Sequence, residues 1–166
     1  MRDAFVIEPL GTHDRSAFAC GAASLDRYLR EQASQDVRRL VASCFVAVEV
    51  ATNRIAGYYT LAATGIYADD LPPEVIKRLP RYPLLPAALV GRLVVDHRFH
   101  GKGLGGALLA DAALRVLKGD VMAFALVVEE NAVGFYRLQG FQPFAGRPRS
   151  LYMALATAKK GSALRD

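Results

Sequence analysis

The chain has 166 residues, 52% of them hydrophobic and 22% charged, with a formal net charge of +5. That length buries a full core as one domain without disulfide staples, and the balance excludes a disordered or fibrous chain. No apolar run is long enough to span a membrane and Met1-Arg2-Asp3-Ala4 lacks the apolar core of a signal peptide, so a cytoplasmic protein with no membrane partner is expected. Cys20 and Cys44 form no CxxC and have no neighbouring ligand set, and read as small buried hydrophobes. The basic excess favours anionic partners, and its residues gather at Arg27, Arg30, Arg38 and Arg39, at Lys77, Arg78 and Arg81, and at Arg147 and Arg149. No segment interleaves them with aromatics as a base-stacking platform would.

In chain order, Phe5–Leu10 reads as a short strand. A helix follows, with Ser24 as its expected N-cap and Asp26 in its first turn. Leu25, Tyr28, Leu29, Ala33, Val37 and Leu40 recur at helical spacing and give it one apolar face. Cys44–Val50 and Ile55–Thr64 flank Ala51-Thr52-Asn53-Arg54 as an antiparallel hairpin. Asp70–Pro86 holds five of the eight prolines, which predicts one short helix near Pro73–Arg78 in an irregular connection. Ala88–Val95 is a continuous apolar run and a predicted central strand. A helix from Leu104 to about Lys118, a buried strand over Val121–Val128, a short helix over Ala132–Leu138 closed by Gly140, and strands at Phe141–Phe144 and Ser150–Ala154 complete the pattern. Two strands joined through one helix make a parallel βαβ unit in an otherwise antiparallel sheet, so the fold class is α+β. One domain over residues 1–156 is expected, with a frayed tail over 157–166.

Gly101, Gly103, Gly105 and Gly106 lie between a strand and a helix. Glycines there let backbone approach a ligand, and a helix start offers unpaired N–H groups to an anion. Arg98 and Lys102 add positive charge, so the natural guest is a diphosphate. A P-loop is excluded because no Lys-Ser or Lys-Thr closes the segment. Gly101, Gly103 and Gly106 satisfy G-x-G-x-x-G, and Glu129 lies at the distance of a ribose-binding acid. However, Asp96–His100 separates the strand from the first glycine, and too little chain remains for a second mononucleotide-binding half.

Arg98-Phe99-His100-Gly101-Lys102-Gly103 instead fits Arg/Gln-x-x-Gly-x-Gly/Ala at every fixed position, and Asn131, Phe135-Tyr136 and Gly140-Phe141 follow in order. The pair of motifs resembles the GNAT superfamily of N-acetyltransferases. The resemblance implies a three-layer GNAT-like fold that binds acetyl-CoA and no metal. It implies that backbone groups of Leu93, Val94 and Val95 hold the pantetheine arm. By the same resemblance the diphosphate lies on the loop from Arg98 and His100 through Gly101, Lys102, Gly103, Leu104, Gly105 and Gly106, with Asn131 and Phe135 also at the cofactor and Tyr136 as general acid. Further segments, among them Leu25-Asp26-Arg27-Tyr28-Leu29, Gly57-Tyr58-Tyr59-Thr60-Leu61 and Arg92-Leu93-Val94-Val95-Asp96, look like the GNAT toxins of bacterial toxin–antitoxin systems. That narrower resemblance implies acetylation of the α-amine of aminoacyl-tRNA and a block of translation. The partners it implies are charged tRNA, a ribbon-helix-helix antitoxin, operator DNA through the antitoxin complex, and a second copy in a homodimer. An acceptor that is a small amine or a protein amino terminus, and a non-catalytic CoA-binding or repressor module, are the alternatives.

Chemistry agrees with an α-amine acceptor without selecting it. An α-amine titrates near ~8 and is about a tenth neutral at pH 7, whereas a lysine near ~10.4 needs a positioned base. No base stands out; Glu129 and Glu130 are candidates by position alone. The Asp96-His97-x-x-His100 string precedes the helix and lacks a further ligand, which argues for loop residues over a metal site. Arg92, on a buried strand, is expected either to meet a substrate carbonyl or phosphate or to pair with an internal carboxylate. Tyr58 and Tyr59 alternate across a strand, which places one in the core and leaves the other for the acceptor cleft.

Overall fold

The strand and helix periods of the sequence resolve into seven strands in one sheet, ordered β1-β2-β3-β4-β5-β7-β6. The structure, a computed structural model, describes residues 4–129, 133–145 and 147–161. The strands are β1 (Phe5–Pro9), β2 (Ser43–Glu49), β3 (Ile55–Tyr67), β4 (Leu84–Val95), β5 (Ala125–Glu129), β6 (Gln142–Phe144) and β7 (Arg147–Ala154). The helices are α1 (Ala23–Arg27), α2 (Ala33–Arg38), α3 (Pro73–Ile76), α4 (Leu104–Lys118), α5 (Val133–Leu138) and α6 (Leu155–Gly161). The expected α+β class, with one parallel pair (β4 with β5) among antiparallel neighbours, is what the chain adopts. Its contacts divide it into two compact units, one of residues 1–62 and 91–112, the other of residues 63–90 and 113–166.

In the first unit β2 pairs antiparallel with β1 and β3, and the alternation of β3 sends successive tyrosines to opposite faces. Tyr58 faces α1 and α2 within a core of Phe18, Tyr28, Leu29, Ala33, Val46 and Val94, and its hydroxyl donates to the Leu25 carbonyl at 2.7 Å. Tyr59 faces α4, where its hydroxyl donates to Asp111 Oδ2 at 2.6 Å. Both are fully buried, so neither lines a cleft. Gly57 shares the α4 face, where β4 and α4 together leave no room for more: a β-carbon there would lie 2.8 Å from the Val94 carbonyl oxygen and 3.1 Å from Leu108 Cδ1.

The helix expected from Ser24 to Leu40 differs in three respects. Its N-cap is Ala22, two residues before the expected Ser24 and without a side-chain cap, while Asp26 Oδ1 accepts from the Cys20 N–H at 3.0 Å. It opens into a π-turn at Tyr28–Gln32, closed by an N–H of Ala33 donating to the Tyr28 carbonyl. The extra residue rotates the helix downstream, and Val37, which α-helical spacing places on the apolar face, is 39% exposed; Leu40 falls beyond the end of α2 at φ +62° and is 93% exposed.

In the second unit β5 pairs in parallel with β4 from Ala87↔Ala125 to Val90↔Val128 and antiparallel with β7. Ile66, Leu71, Leu85, Val127, Phe144 and Tyr152 form its core. Strand β4 begins at Leu84, earlier than the proline-rich composition suggests, and tolerates Pro86, whose carbonyl accepts from Phe124 N at 2.8 Å. Strand β5 begins at Ala125, not Val121; Val121 and Met122 are 83% and 77% exposed in the preceding turn. The segment expected to fray from Thr157 continues as α6 to Gly161, held by Leu155 and Ala158, which are buried. Gly140 has φ +99° after α5, the expected left-handed cap.

Candidate functional site

The glycine segment is built on a buried carboxylate. Asp96 ends β4 with no exposed surface and accepts four hydrogen bonds, from Ala19 N (2.9 Å), Arg98 N (2.9 Å), Arg98 Nε (3.0 Å) and Arg98 Nη2 (2.9 Å). Burial pushes its pKa up, but the Arg98 and Ala19 donors outweigh that and hold it at about 2. Arg98 also donates to the Ala17 carbonyl at 2.9 Å. Its charge, expected at the mouth of the loop, is therefore committed to Asp96, and it fastens residues 17–19 to the start of the loop. The two histidines turn inward to backbone: His97 Nδ1 lies 2.7 Å from the Ala19 carbonyl and His100 Nε2 lies 3.0 Å from the Val95 carbonyl.

Beyond this anchor Gly101 and Gly103 take φ of +80° and +74°, and a β-carbon at either would meet nothing within 4 Å. These glycines are required by conformation, and they leave an open cradle before α4. Leu104 opens α4 and is buried, together with Leu108 and Leu109, which fixes the helix on its face of the sheet. Gly105 and Gly106 lie in its first turn, whose N–H groups have no acceptor within the helix. The positive end of a 15-residue helix and its free amides suit a diphosphate.

Strand β4 supplies the second element. Its pairing with β5 ends at Val90, yet the strand runs five residues further to Val95. Asp96 N donates to the Ala56 carbonyl at 2.9 Å and Arg92 N to Thr60 Oγ1 at 3.1 Å, so even-numbered residues turn their polar backbone toward β3. By strand alternation the backbone groups of Leu93 and Val95 point away from β3, while Val94 turns toward it. An amide-bearing arm finds donors and acceptors there, with the Val95 carbonyl shared with His100. The open glycine cradle and this edge fit the donor set that acetyl-CoA requires.

The downstream motif lies in the second unit. Tyr136 on α5 is 3% exposed and makes edge-to-face contacts with Phe135 (5.2 Å between centroids) and Phe141 (5.6 Å). Phe135 is half-buried. Asn131 and Glu130 lie outside the described residues; Glu129 is exposed. Cys44 is buried, which pushes its thiol up to about 12, and both cysteines are free. Among the described residues no cluster of three or more metal-ligating side chains occurs, and no helix is long and apolar enough to cross a membrane.

What sequence reasoning missed is a cavity of about 360 Å³ under the π-turn, lined by Ser24, Arg27, Tyr28, Glu31, Gln32 and Arg92. The π-turn has no recognisable sequence signal; the helical spacing around it looked uninterrupted. Of the two expectations for Arg92, the internal carboxylate partner is not found. Its guanidinium lies 3.5 Å from the centroid of the Tyr28 ring, and it makes no ion pair among the described residues.

A strand leading through a buried carboxylate anchor into a glycine turn and a helix N-terminus is an arrangement that suits a CoA-dependent acyltransferase. The family model of the acetyltransferase (GNAT) domain matches residues 41–143. The chain belongs to that family, the acetyl-CoA-dependent N-acetyltransferases. Among its relatives is a probable toxin TacT of Sinorhizobium fredii, 29% identical, with the match covering 93% of either chain. Another is a tRNA-acetylating toxin of Mycobacterium tuberculosis, 35% identical over 63% of this chain and 61% of the relative. The fold superposes on AtaT complexed with acetyl-methionyl-tRNAfMet with a TM-score of 0.86, at 26% identity over 94% of this chain and 98% of that one. It also matches AtaTR bound with acetyl-CoA (TM-score 0.79, 27% identity, 96% and 98% covered) and AtaT bound to the C-terminus of the antitoxin AtaR (0.78, 25%, 95% and 97%).

Proposed function

We propose that this protein is a toxin that transfers acetyl from acetyl-CoA to the α-amine of aminoacyl-tRNA. The observation that carries the reading is the anchored glycine turn at α4, in a chain similar over nearly its whole length to a probable toxin TacT and to AtaT complexed with acetyl-methionyl-tRNAfMet. The bound thioester supplies an activated acetyl group: the amine nitrogen bonds to its carbonyl carbon, the C–S bond breaks, and the amine loses a proton while the thiolate gains one. In this reading the cradle amides from Gly101 to Gly106 hold the diphosphate, with Lys102 and His100 beside it. The Leu93–Val95 backbone, Asn131 and Phe135 hold the remainder of the cofactor. Tyr136 donates the proton to the departing thiolate, a role worth ~10²–10⁴-fold in rate. An α-amine, partly neutral at pH 7, needs little help from a base. A cytoplasmic ribbon-helix-helix antitoxin partner, operator DNA bound through their complex, and a homodimer complete the proposal.

The test is incubation with labelled acetyl-CoA and total aminoacyl-tRNA, beside deacylated tRNA and free amino acids. Label recovered as N-acetyl-aminoacyl-tRNA, reduced at least a hundredfold by Tyr136→Phe, is the expected result (about the lower bound of acid catalysis). Label on small amines or proteins alone leaves the family intact and overturns the toxin assignment.

A further inference from the structure

A transferase of two substrates needs two binding faces, and the two lie on opposite sides of β4 in the first unit. The cradle opens at α4, which packs on the side of β3 bearing Gly57 and Tyr59. The cavity lies on the other side, under α1 and the π-turn, where Arg92 and Val94 project. It is therefore separate from the cofactor's cradle. Its walls carry the guanidinium groups of Arg27 and Arg92 and the carboxylate of Glu31, and the Asp36 carboxylate lies close enough to feel the charge of Arg92.

Arg92 is held in a particular way. Tyr28 lies 6.3 Å from Tyr58 with 16° between the ring planes, and the Arg92 guanidinium sits over the Tyr28 ring, 3.5 Å from its centroid. The Tyr28 hydroxyl donates to Asp36 Oδ2 at 2.7 Å and Gln32 Nε2 donates to Asp36 Oδ1 at 2.9 Å, which fixes the ring; Arg92 makes no direct ion pair with that carboxylate, so its N–H groups are not committed to it. A guanidinium laid flat on an aromatic ring keeps its N–H edge in plane, and that edge matches a carboxylate or a phosphate with two parallel hydrogen bonds. The π-turn supplies the width: one extra residue bulges the helix wall between Tyr28 and Gln32 and leaves space above the guanidinium.

We infer that the Arg92–Tyr28 pair is an anion clamp for the acceptor, and that its ligand is a backbone phosphate of the acceptor's 3′-terminal nucleotides. The choice of phosphate rests on the proposed function. In an aminoacyl ester the carboxyl group is already bonded to the ribose, so the anions left near the reacting amine are phosphates. A free amino acid would offer its carboxylate to the same fork.

The test uses an acceptor analogue, a nucleoside carrying an aminoacyl group through a stable 3′-amide, with either a 5′-phosphate or a 5′-hydroxyl. Acetylation by the wild type should favour the phosphorylated analogue by about 10–100-fold in kcat/KM, in line with one charge-assisted bidentate contact. Arg92→Gln should erase that preference through KM and leave turnover of the hydroxyl analogue unchanged; Arg92→Lys, a point charge without the fork, should retain part of it. An equal loss on both analogues, or an unchanged preference, overturns the clamp, and urea unfolding of each variant identifies loss of fold. A second arm is independent of transfer: titration with the 5′-phosphorylated trinucleotide CCA. If neither the analogues nor aminoacyl-tRNA is acetylated, the proposed function fails, while binding of CCA weakened at least about tenfold by Arg92→Gln still supports the clamp. Absent or Arg92-independent CCA binding overturns it. Free amino acids competing for the site in place of CCA also overturn it, in favour of a carboxylate ligand.

Discussion

Replacing Asp96 by Asn tests how much of the site rests on one carboxylate. The substitution conserves shape but removes the charge that pairs with Arg98 and turns one of two acceptor oxygens into a donor, facing N–H groups of Ala19 and Arg98 at 2.9–3.0 Å. Breaking a buried pair from one side costs about 3–5 kcal/mol. The Arg98 side chain is 32% exposed and water can reach it, so the lower end applies, about 3 kcal/mol. For a chain of this length that corresponds to a fall in Tm of roughly 6–12 °C. Urea unfolding followed by circular dichroism at pH 7 measures the loss directly. The acid limb gives a second reading. A carboxylate depressed to about 2 contributes stability that is fully present above its unfolded value near ~4 and is lost as pH falls through its folded value. The wild type should therefore lose roughly 2 kcal/mol more than Asp96→Asn between about pH 4 and pH 2. A variant within about 1 kcal/mol of wild type, with the same acid limb, refutes the anchor.

Two glycines separate packing from conformation. Gly57→Ala should destabilise by about 1–3 kcal/mol, because its β-carbon would press on the Val94 carbonyl, which belongs to backbone and cannot swing aside. The displacement should also raise KM for acetyl-CoA, measured by initial rates. Gly103→Ala meets no neighbour and should cost only about 1 kcal/mol for its left-handed φ, yet weaken acetyl-CoA binding in calorimetry more than its stability cost implies.

The parallel strand–helix–strand unit was legible because Ala88–Val95 and the α4 periodicity are strong local patterns flanking glycines with a clear conformational purpose. Boundaries that depended on tertiary pairing were not: Pro86 stays in β4 because Phe124 bonds its carbonyl, and Val121 falls outside β5 despite an apolar run. Within the site, residue types announced the cradle but not how Arg98 is used. A positive charge beside a phosphate motif looks like a phosphate ligand until the buried Asp96 two residues away is seen to hold it. The cavity was illegible because the π-turn that borders it differs from ordinary helical winding by a single residue, closed by Ala33 N–H on the Tyr28 carbonyl, and no residue type signals that.

The π-turn also has an evolutionary reading. Insertions and deletions are ordinarily confined to loops, where added length shifts nothing that is packed. A wide turn inside a helix is another such place: it stores one surplus residue between α1 and α2. Removing a residue from 28–32 would return the segment to ordinary helical winding, while β4 and the glycine cradle stay as they are. Chain length at this wall is thus a variable on which selection can act independently of catalysis.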